Sequence, residues 1–172
     1  MSERTDQPGR GDKASSQELA AKPKKYMIFH LAGLRYAAPL ASVREVVALS
    51  PLTPVPGLPD YFCGLINLRG KIISTIDLKL RLNLKQDSKN ESPNSRRTVI
   101  VTQTGEETLG LIVDDVSEVL SFTEQQIDRQ IEKLEDSLKH GVIGVARMEN
   151  KDLTLILDLT RLSQIGTCKT HG

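Results

Sequence analysis

Short apolar runs separated by closely spaced turn signals are the feature that most constrains this fold. Runs such as YMIFHL, KIISTIDL and TVIVT are bounded by AGLR, NLRG and QTGEE, which contain the residues typical of tight turns. The chain has no Trp and only 3% aromatic residues, so its core must be built mainly from Leu, Ile and Val. Because β-branched residues favour strands, the sequence predicts a mainly-β protein of short strands, as in barrels and sandwiches.

The polar segment KQDSKNESPNSRR, residues 85–97, separates two strand-rich halves. We predict one folded region over residues 26–162, with a first subdomain of about 26–84 plus a C-terminal strand and a second of about 97–145. The halves are similar in style, but no sequence repeat is strong enough to claim duplication. Residues 1–24 lack the apolar content to offset the entropy of ordering, so we predict a disordered tail there and a polar tail over 163–172.

One or two short helices are predicted within this β-rich pattern. In LASVREVVAL, apolar residues recur at Leu40, Val43, Val46 and Val47, which is the spacing of one helix face. Ile131, Leu134 and Leu138 repeat this spacing near the end of the chain, so their segment is either a second short helix, with Gly141 as its stop, or irregular.

Charge and hydropathy exclude several classes of function. Lys and Arg together number 23 and Asp and Glu number 22, so the net charge of +1 gives no reason to expect nucleic-acid binding. No apolar run approaches the roughly 20 residues of a membrane helix, and the N-terminus lacks a signal core. We therefore expect a cytoplasmic protein without direct membrane insertion. Cys63 and Cys168 are not spaced as metal ligands, and Cys63 is interpreted as a small buried apolar residue.

No catalytic, metal or cofactor site is expected. His30, His140 and His171 occur in no recognisable catalytic motif. Asp114 and Asp115 are adjacent on a predicted strand and therefore point to opposite faces. The Gly-Lys pair in NLRGKIIST lacks the upstream glycine of a phosphate-binding loop and runs into a strand.

The stretch GLINLRGKIISTIDL carries the informative resemblance. An ordinary buried strand would not need Asn, Arg and Gly in its middle. The stretch resembles the signature of the CheW family, the adaptor proteins of bacterial chemosensory systems, in which Gly-x-x-Asn-x-Arg-Gly precedes an apolar strand ending in Asp-Leu. VREVV, TPVPGLPDYFCGLINLRG and TLGLIVDDVSEVL also resemble family segments, in the same order. The resemblance covers about residues 26–162.

This resemblance implies a fold, a function and partners. The fold would be two small five-stranded, Src-homology-like β-barrels that share an apolar core. The segments outside the domain leave no room for a kinase or receiver domain, so we expect a stand-alone, non-catalytic adaptor without a cofactor. Its partners would be chemoreceptor cytoplasmic tips and the regulatory domain of the histidine kinase CheA, at receptor arrays beneath the inner membrane. The alternative is a CheW-like adaptor in a pathway that governs surface motility or gene regulation.

Arg69 and Glu45 are the strongest candidates for partner binding that the resemblance implies. An arginine held at a turn presents a planar fork to a carboxylate. We hypothesise that Arg69 and Glu45 lie near one another at a contact face. The alternative is that Arg69 only braces its turn through backbone carbonyls.

The other candidates each have a structural alternative. Val43 is either a contact residue or core. Gly64, with Asn67 and Gly70, is explained at least as well by turn geometry, since Asn and Gly tolerate positive φ. Four residues of the second half match family positions associated with receptor contact and could equally be core: Val99, Ile100, Val116 and Val119.

Overall fold

The computed structural model describes residues 22–84, 97–134, 136–148 and 152–164. Most of each expected tail and most of the polar segment 85–97 lie outside the described residues. Lys24, which belongs to the expected disordered tail, lies in a strand. In the described part, strands dominate, and they form two sheets of six and five strands.

The six-stranded sheet combines strands from both ends of the chain. Its order is β8-β1-β2-β11-β10-β9, with the parallel pair β2 and β11 in the middle. Its strands are β1 (Lys24–Leu31), β2 (Leu34–Pro39), β8 (Asp115–Phe122), β9 (Ile127–Asp128), β10 (Val142–Arg147) and β11 (Leu153–Leu157).

The five-stranded sheet is formed from the central part of the chain. Its order is β3-β6-β7-β5-β4, and its parallel pair is β5 and β7. Its strands are β3 (Val43–Ala48), β4 (Phe62–Leu68), β5 (Lys71–Asp77), β6 (Thr98–Thr104) and β7 (Glu107–Val113). Each sheet takes strands from both sides of residues 85–96, so sheet membership does not follow the two halves expected from the sequence.

The helices of the described residues are short and lie at strand ends. They are α1 (Leu78–Arg81), α2 (Asp136–Lys139) and α3 (Leu159–Ser163), with 3₁₀ turns at Leu40–Ser42, Glu124–Gln126 and Ile131–Lys133. Asp77 and Asp158 cap α1 and α3 by accepting hydrogen bonds from backbone N–H groups. The prediction of a mainly-β fold with two strand-rich units is confirmed, although one of the two sheets has a sixth strand, the two-residue β9.

The helix predicted over residues 40–49 is wrong. After a single 3₁₀ turn, Val43–Ala48 is strand β3, in which partly buried and exposed residues alternate. A β-bulge between Val43 and Glu45 interrupts the pairing with β6. The bulge breaks the simple alternation of the sequence, and the three valines favour the extended backbone.

The apolar core has one shared part and two local parts. The largest cluster contains residues of both sheets, including Phe29, Tyr36, Ile76 and Leu111, and therefore joins them. Burial raises the pKa of Tyr36 to about 12. A second cluster lies on the six-stranded sheet alone. The third, on the five-stranded sheet, consists of Ile66, Ile73, Val99, Val101 and Ile112.

The strand pairing reveals an internal structural repeat, in which the first hairpin of each repeat pairs with strands of the other. Strands β1–β5 with α1 form repeat one, and β6–β11 with α3 form repeat two. In each, a hairpin precedes a third strand, and then a second hairpin ends in a capped helix. Hairpin β1–β2 pairs with β8 and β11 of repeat two, whereas hairpin β6–β7 pairs with β3 and β5 of repeat one.

The registers make the two repeats equivalent residue by residue. In the six-stranded sheet, Tyr36 lies opposite Leu155, which is three residues before the capping Asp158. In the five-stranded sheet, Leu109 lies opposite Ser74, which is three residues before the capping Asp77. Tyr36 is therefore equivalent to Leu109. The bulges between Val43 and Glu45 in β3 and between Val116 and Glu118 in β8 coincide. VREVV in β3 therefore corresponds to VSEVL in β8, with Glu45 equivalent to Glu118.

Candidate partner-binding site

The signature hairpin turns on Arg69 and Gly70. Strand β4 ends at Leu68 and β5 begins at Lys71, which leaves a two-residue loop with φ of 52° at Arg69 and 85° at Gly70. Positive φ at both central residues is the pattern of a type I′ turn. The sequence placed Asn67 at such a position, but Asn67 lies in β4, and its Oδ1 accepts a hydrogen bond from the Gly70 N–H at 2.8 Å.

Arg69 occupies a backbone conformation that favours Asn or Gly. A non-glycine residue at positive φ costs about 1 kcal/mol or more of backbone energy. Its side chain is 78% exposed, so burial does not offset that cost. Backbone strain at an exposed charged residue suggests that the side chain has a role beyond the turn.

Arg69 and Glu45 form an ion pair between opposite edges of one sheet. The Arg69 Nη2 and Glu45 Oε2 atoms are 3.1 Å apart, and the Glu45 side chain is 30% exposed. Glu45 lies on edge strand β3, and Arg69 follows the other edge strand, β4. The five-stranded sheet must therefore curl until its edges approach, and the ion pair spans them. The expected proximity of these two residues is observed.

Gly64 lies in the interior. Its φ is +132°, and a Cβ atom there would collide with the backbone carbonyl of Thr53. Thr53 forms an isolated β-bridge with Leu65, through which the Pro-containing segment packs onto β4. Gly64 therefore permits a close backbone approach, which favours the geometric alternative over direct contact with a partner.

Three of the valine and isoleucine candidates contribute to the core. Val99 and Ile100 have no exposed surface, and they pack in the third cluster and the shared cluster respectively. The structure therefore favours the core alternative for both. Val43 is half-buried and packs against the shared cluster from the start of β3. Of these three residues, only Val43 presents surface to a partner.

Val116 and Val119 lie on edge strand β8 and differ in exposure. Val116 is partly buried and packs against the shared core, whereas Val119 is 48% exposed. Because of the bulge between Val116 and Glu118, Val116 lies opposite Phe29 and Val119 lies opposite Met27, so both valines are on the same side of the sheet. Val119 can therefore contribute to a contact surface, and Val116 contributes mainly to packing.

A model of the CheW-like domain matches residues 25–165. The chain belongs to the CheW-like family. Of the eleven strands in the described residues, this match covers ten in full and β1 except for Lys24, so the family assignment and the observed fold concern the same part of the chain.

Named relatives of this CheW-family chain are chemotaxis proteins. It is 31% identical over 133 residues to a probable chemotaxis protein CheW of Rhizobium etli, covering 77% of this chain and 83% of the relative. Identity and coverage are the same for chemotaxis protein CheW of Bacillus subtilis. The crystal structure of scaffolding protein TtCheW from Thermoanaerobacter tengcongensis matches with a TM-score of 0.73 and 32% identity, over 84% of this chain and 95% of that chain.

Sequence reasoning missed the surroundings of the ion pair in this CheW-like domain. Arg44, Lys71 and Ile72 lie around Arg69 and Glu45, and together these residues help to line a cavity. Lys71 and Ile72 directly follow the signature, but only the curling of the sheet brings Arg44 to them. Their sequence separation gave no signal of this proximity.

Other chemistry-bearing groups of the CheW-like domain have structural surroundings. Asp114 pairs with Lys79 at 2.7 Å and accepts a hydrogen bond from the Ala32 N–H at 3.0 Å. Burial, and next the Asp77 carboxylate, raise the pKa of the half-buried Cys63 thiol. The described part of the chain contains neither a group of three metal-ligating side chains nor a helix long and apolar enough to cross a membrane.

Val116 and Val119 provide a matched test of core against surface. We expect Val116→Asp to lower the free energy of unfolding by about 2 kcal/mol, because it places a carboxylate against the shared core. Val119→Asp should change it by less than about 0.5 kcal/mol, since the side chain is half exposed. Urea denaturation measures both. Equal destabilisation by the two variants would contradict the assignment of Val116 to the core and Val119 to the surface.

Proposed function

We propose that this CheW-family protein is a non-catalytic chemotaxis adaptor that couples chemoreceptors to a histidine kinase. It would bind the cytoplasmic tips of chemoreceptors with one surface and the regulatory domain of CheA with another. Its location would be cytoplasmic, at receptor arrays beneath the inner membrane. Family membership, together with relatives named for chemotaxis and for scaffolding, supports this proposal.

The single observation that carries the proposal is the exposed Arg69 in the signature turn. The turn itself does not require arginine at this position, where positive φ favours Asn or Gly. Glu45 holds the guanidinium in place and leaves most of its surface exposed, as a partner contact requires. Half-buried Val43 and exposed Val119 would add apolar area on β3 and β8.

Arg69→Asn separates folding from partner binding. Asparagine tolerates the left-handed backbone, so we expect the free energy of unfolding to stay the same or to rise by up to about 1 kcal/mol. Binding to receptor signalling fragments and CheA should fall by about tenfold or more, because the partner loses its arginine contact. Co-sedimentation with both partners measures binding, and urea denaturation measures stability.

Arg147→Asn is the matched control for this variant. It removes an arginine of β10 that is 72% exposed and ion-paired with Asp128 at 3.7 Å, on the other sheet. We expect little change in co-sedimentation, in contrast to Arg69→Asn. Full receptor and kinase coupling by a folded Arg69→Asn protein would refute the assigned role of Arg69.

A further inference from the structure

A cavity of about 640 Å³ lies at the end of the curled five-stranded sheet that carries the Arg69–Glu45 ion pair. Its floor is apolar and consists of Leu68, Ile73 and Val101, which belong to or pack against the third core cluster. The volume falls within the range of ligand-sized pockets, about 300–1,000 Å³. The cavity therefore has room for a short segment of another protein, with apolar surface already in place beneath it.

The rim of this cavity is basic. Among its lining residues, Arg44, Arg69 and Lys71 are basic and Glu45 alone is acidic, so the formal charge is 3 − 1 = +2. Glu45 is already paired with Arg69, which leaves Arg44 and Lys71 to attract an anionic group. Ile72, 64% exposed, extends the apolar surface beside the rim.

The equivalent end of the six-stranded sheet is built differently. There the position of Thr108 is taken by Arg35, whose guanidinium makes ion pairs with Glu118 at 2.9 Å and Asp152 at 3.4 Å. Asp152 itself occupies the position that is equivalent to Lys71, and Ser117 occupies the position that is equivalent to Arg44. Because the backbone repeats and the side chains do not, the basic rim is a property of this sequence rather than of the fold.

We propose that this cavity receives a segment of a partner protein in which an aliphatic or aromatic side chain lies next to a carboxylate. The apolar side chain would rest on Leu68, Ile73 and Val101, and the carboxylate would pair with Lys71 and Arg44. Apolar contact supplies affinity, and the charge pair fixes orientation. The inference rests on the proposed adaptor function and specifies the chemistry of one partner surface.

The repeat itself suggests the decisive variant, Thr108→Arg. Arg35 shows that the equivalent backbone position in the other sheet accommodates an arginine. By analogy with the Arg35–Glu118 pair, the new guanidinium would lie across the cavity near Glu45. Lys71→Glu is the second variant, because it reverses one rim charge without filling the cavity. Lys25→Glu is the control for charge, since Lys25 is exposed on β1 of the other sheet. Circular dichroism and urea denaturation verify that each variant is folded.

Isothermal titration calorimetry of the full chain then uses two protein probes, a receptor signalling fragment and the CheA regulatory domain. We expect Thr108→Arg and Lys71→Glu each to weaken binding of one probe by about tenfold. Lys25→Glu should change it by less than about twofold. Wild-type affinity should fall with added salt, and less steeply in Lys71→Glu. Unchanged binding in Thr108→Arg, or in Lys71→Glu alone, overturns the proposal.

A partner-independent measurement separates this proposal from the adaptor function. The probe is 8-anilinonaphthalene-1-sulfonate, an apolar anion, added to ¹⁵N-labelled protein. We expect amide shifts at Thr108 and Ile72 in the wild type and their loss in Thr108→Arg. No shift at these amides overturns the cavity proposal even if both protein probes bind. These shifts without any protein binding support the cavity and overturn the adaptor function. Self-association that Thr108→Arg abolishes would identify a second copy as occupant and also overturn the proposal.

Discussion

Gly64→Ala is expected to lower the free energy of unfolding by about 3 kcal/mol. The added Cβ would meet the carbonyl oxygen and carbon of Thr53, which belong to the backbone and cannot rotate away. The φ of +132° adds strain that glycine alone avoids. Relief would require the Pro-containing segment to separate from β4, with loss of the hydrogen bonds between Thr53 and Leu65.

Gly105→Ala is the control for this prediction. Gly105 also has positive φ, +62°, but a Cβ there would meet no atom within 4 Å. Only the cost of holding alanine at positive φ remains, so we expect the free energy of unfolding to fall by about 1 kcal/mol. Urea denaturation of both variants gives the difference. If Gly64→Ala were no less stable than Gly105→Ala, the close approach of Thr53 would not be the reason for glycine at position 64.

Asp77→Ala is expected to destabilise the protein by a similar amount, about 3 kcal/mol. The carboxylate is almost fully buried, accepts hydrogen bonds from the Lys79 and Leu80 N–H groups, and pairs with Arg97 at 3.1 Å. Alanine would remove the cap of α1 and one ion-pair partner of the Arg97 guanidinium at once. The remaining exposure of Arg97 limits the penalty, because water reaches part of its side chain.

The repeat supplies a control in Asp158→Ala. Asp158 caps α3 as Asp77 caps α1, but its ion pair with Arg161 is local and more exposed. We expect Asp158→Ala to lower the free energy of unfolding by about 1 kcal/mol, the usual cost of losing a helix N-cap. Thermal and urea unfolding of the two variants measure the gap. Equal losses would mean that the buried ion pair of Asp77 adds nothing to the cap.

The sequence was sufficient for features that depend on neighbouring residues. Alternating apolar runs and turn residues located most of the strands, and NLRG correctly marked a hairpin between β4 and β5. The expected contact between Arg69 and Glu45 came from the family resemblance. Nothing in their spacing along the chain implies it, because it depends on a sheet that curls until β3 approaches β4.

Features that depend on pairing between distant strands were beyond the sequence. The valines of VREVV have the spacing of a helix face because the bulge at Arg44 breaks the alternation expected of a strand. Val99 and Ile100 lie on opposite faces of β6, yet both are buried, because a core cluster packs on each side. A run of β-branched residues looks the same whether one face or both are covered.

The exchange of hairpins between the repeats has a mechanical consequence. The pairing of β2 with β11 joins residues from nearly opposite ends of the chain, so the six-stranded sheet can be completed only after β11 has been synthesised, and the five-stranded sheet only after β7. Continuous backbone joins the two sheets, because β2 leads into β3 and β7 leads into β8. A load applied at Arg69 therefore has a direct path to β8 through β5, its parallel partner β7 and the covalent connection between β7 and β8.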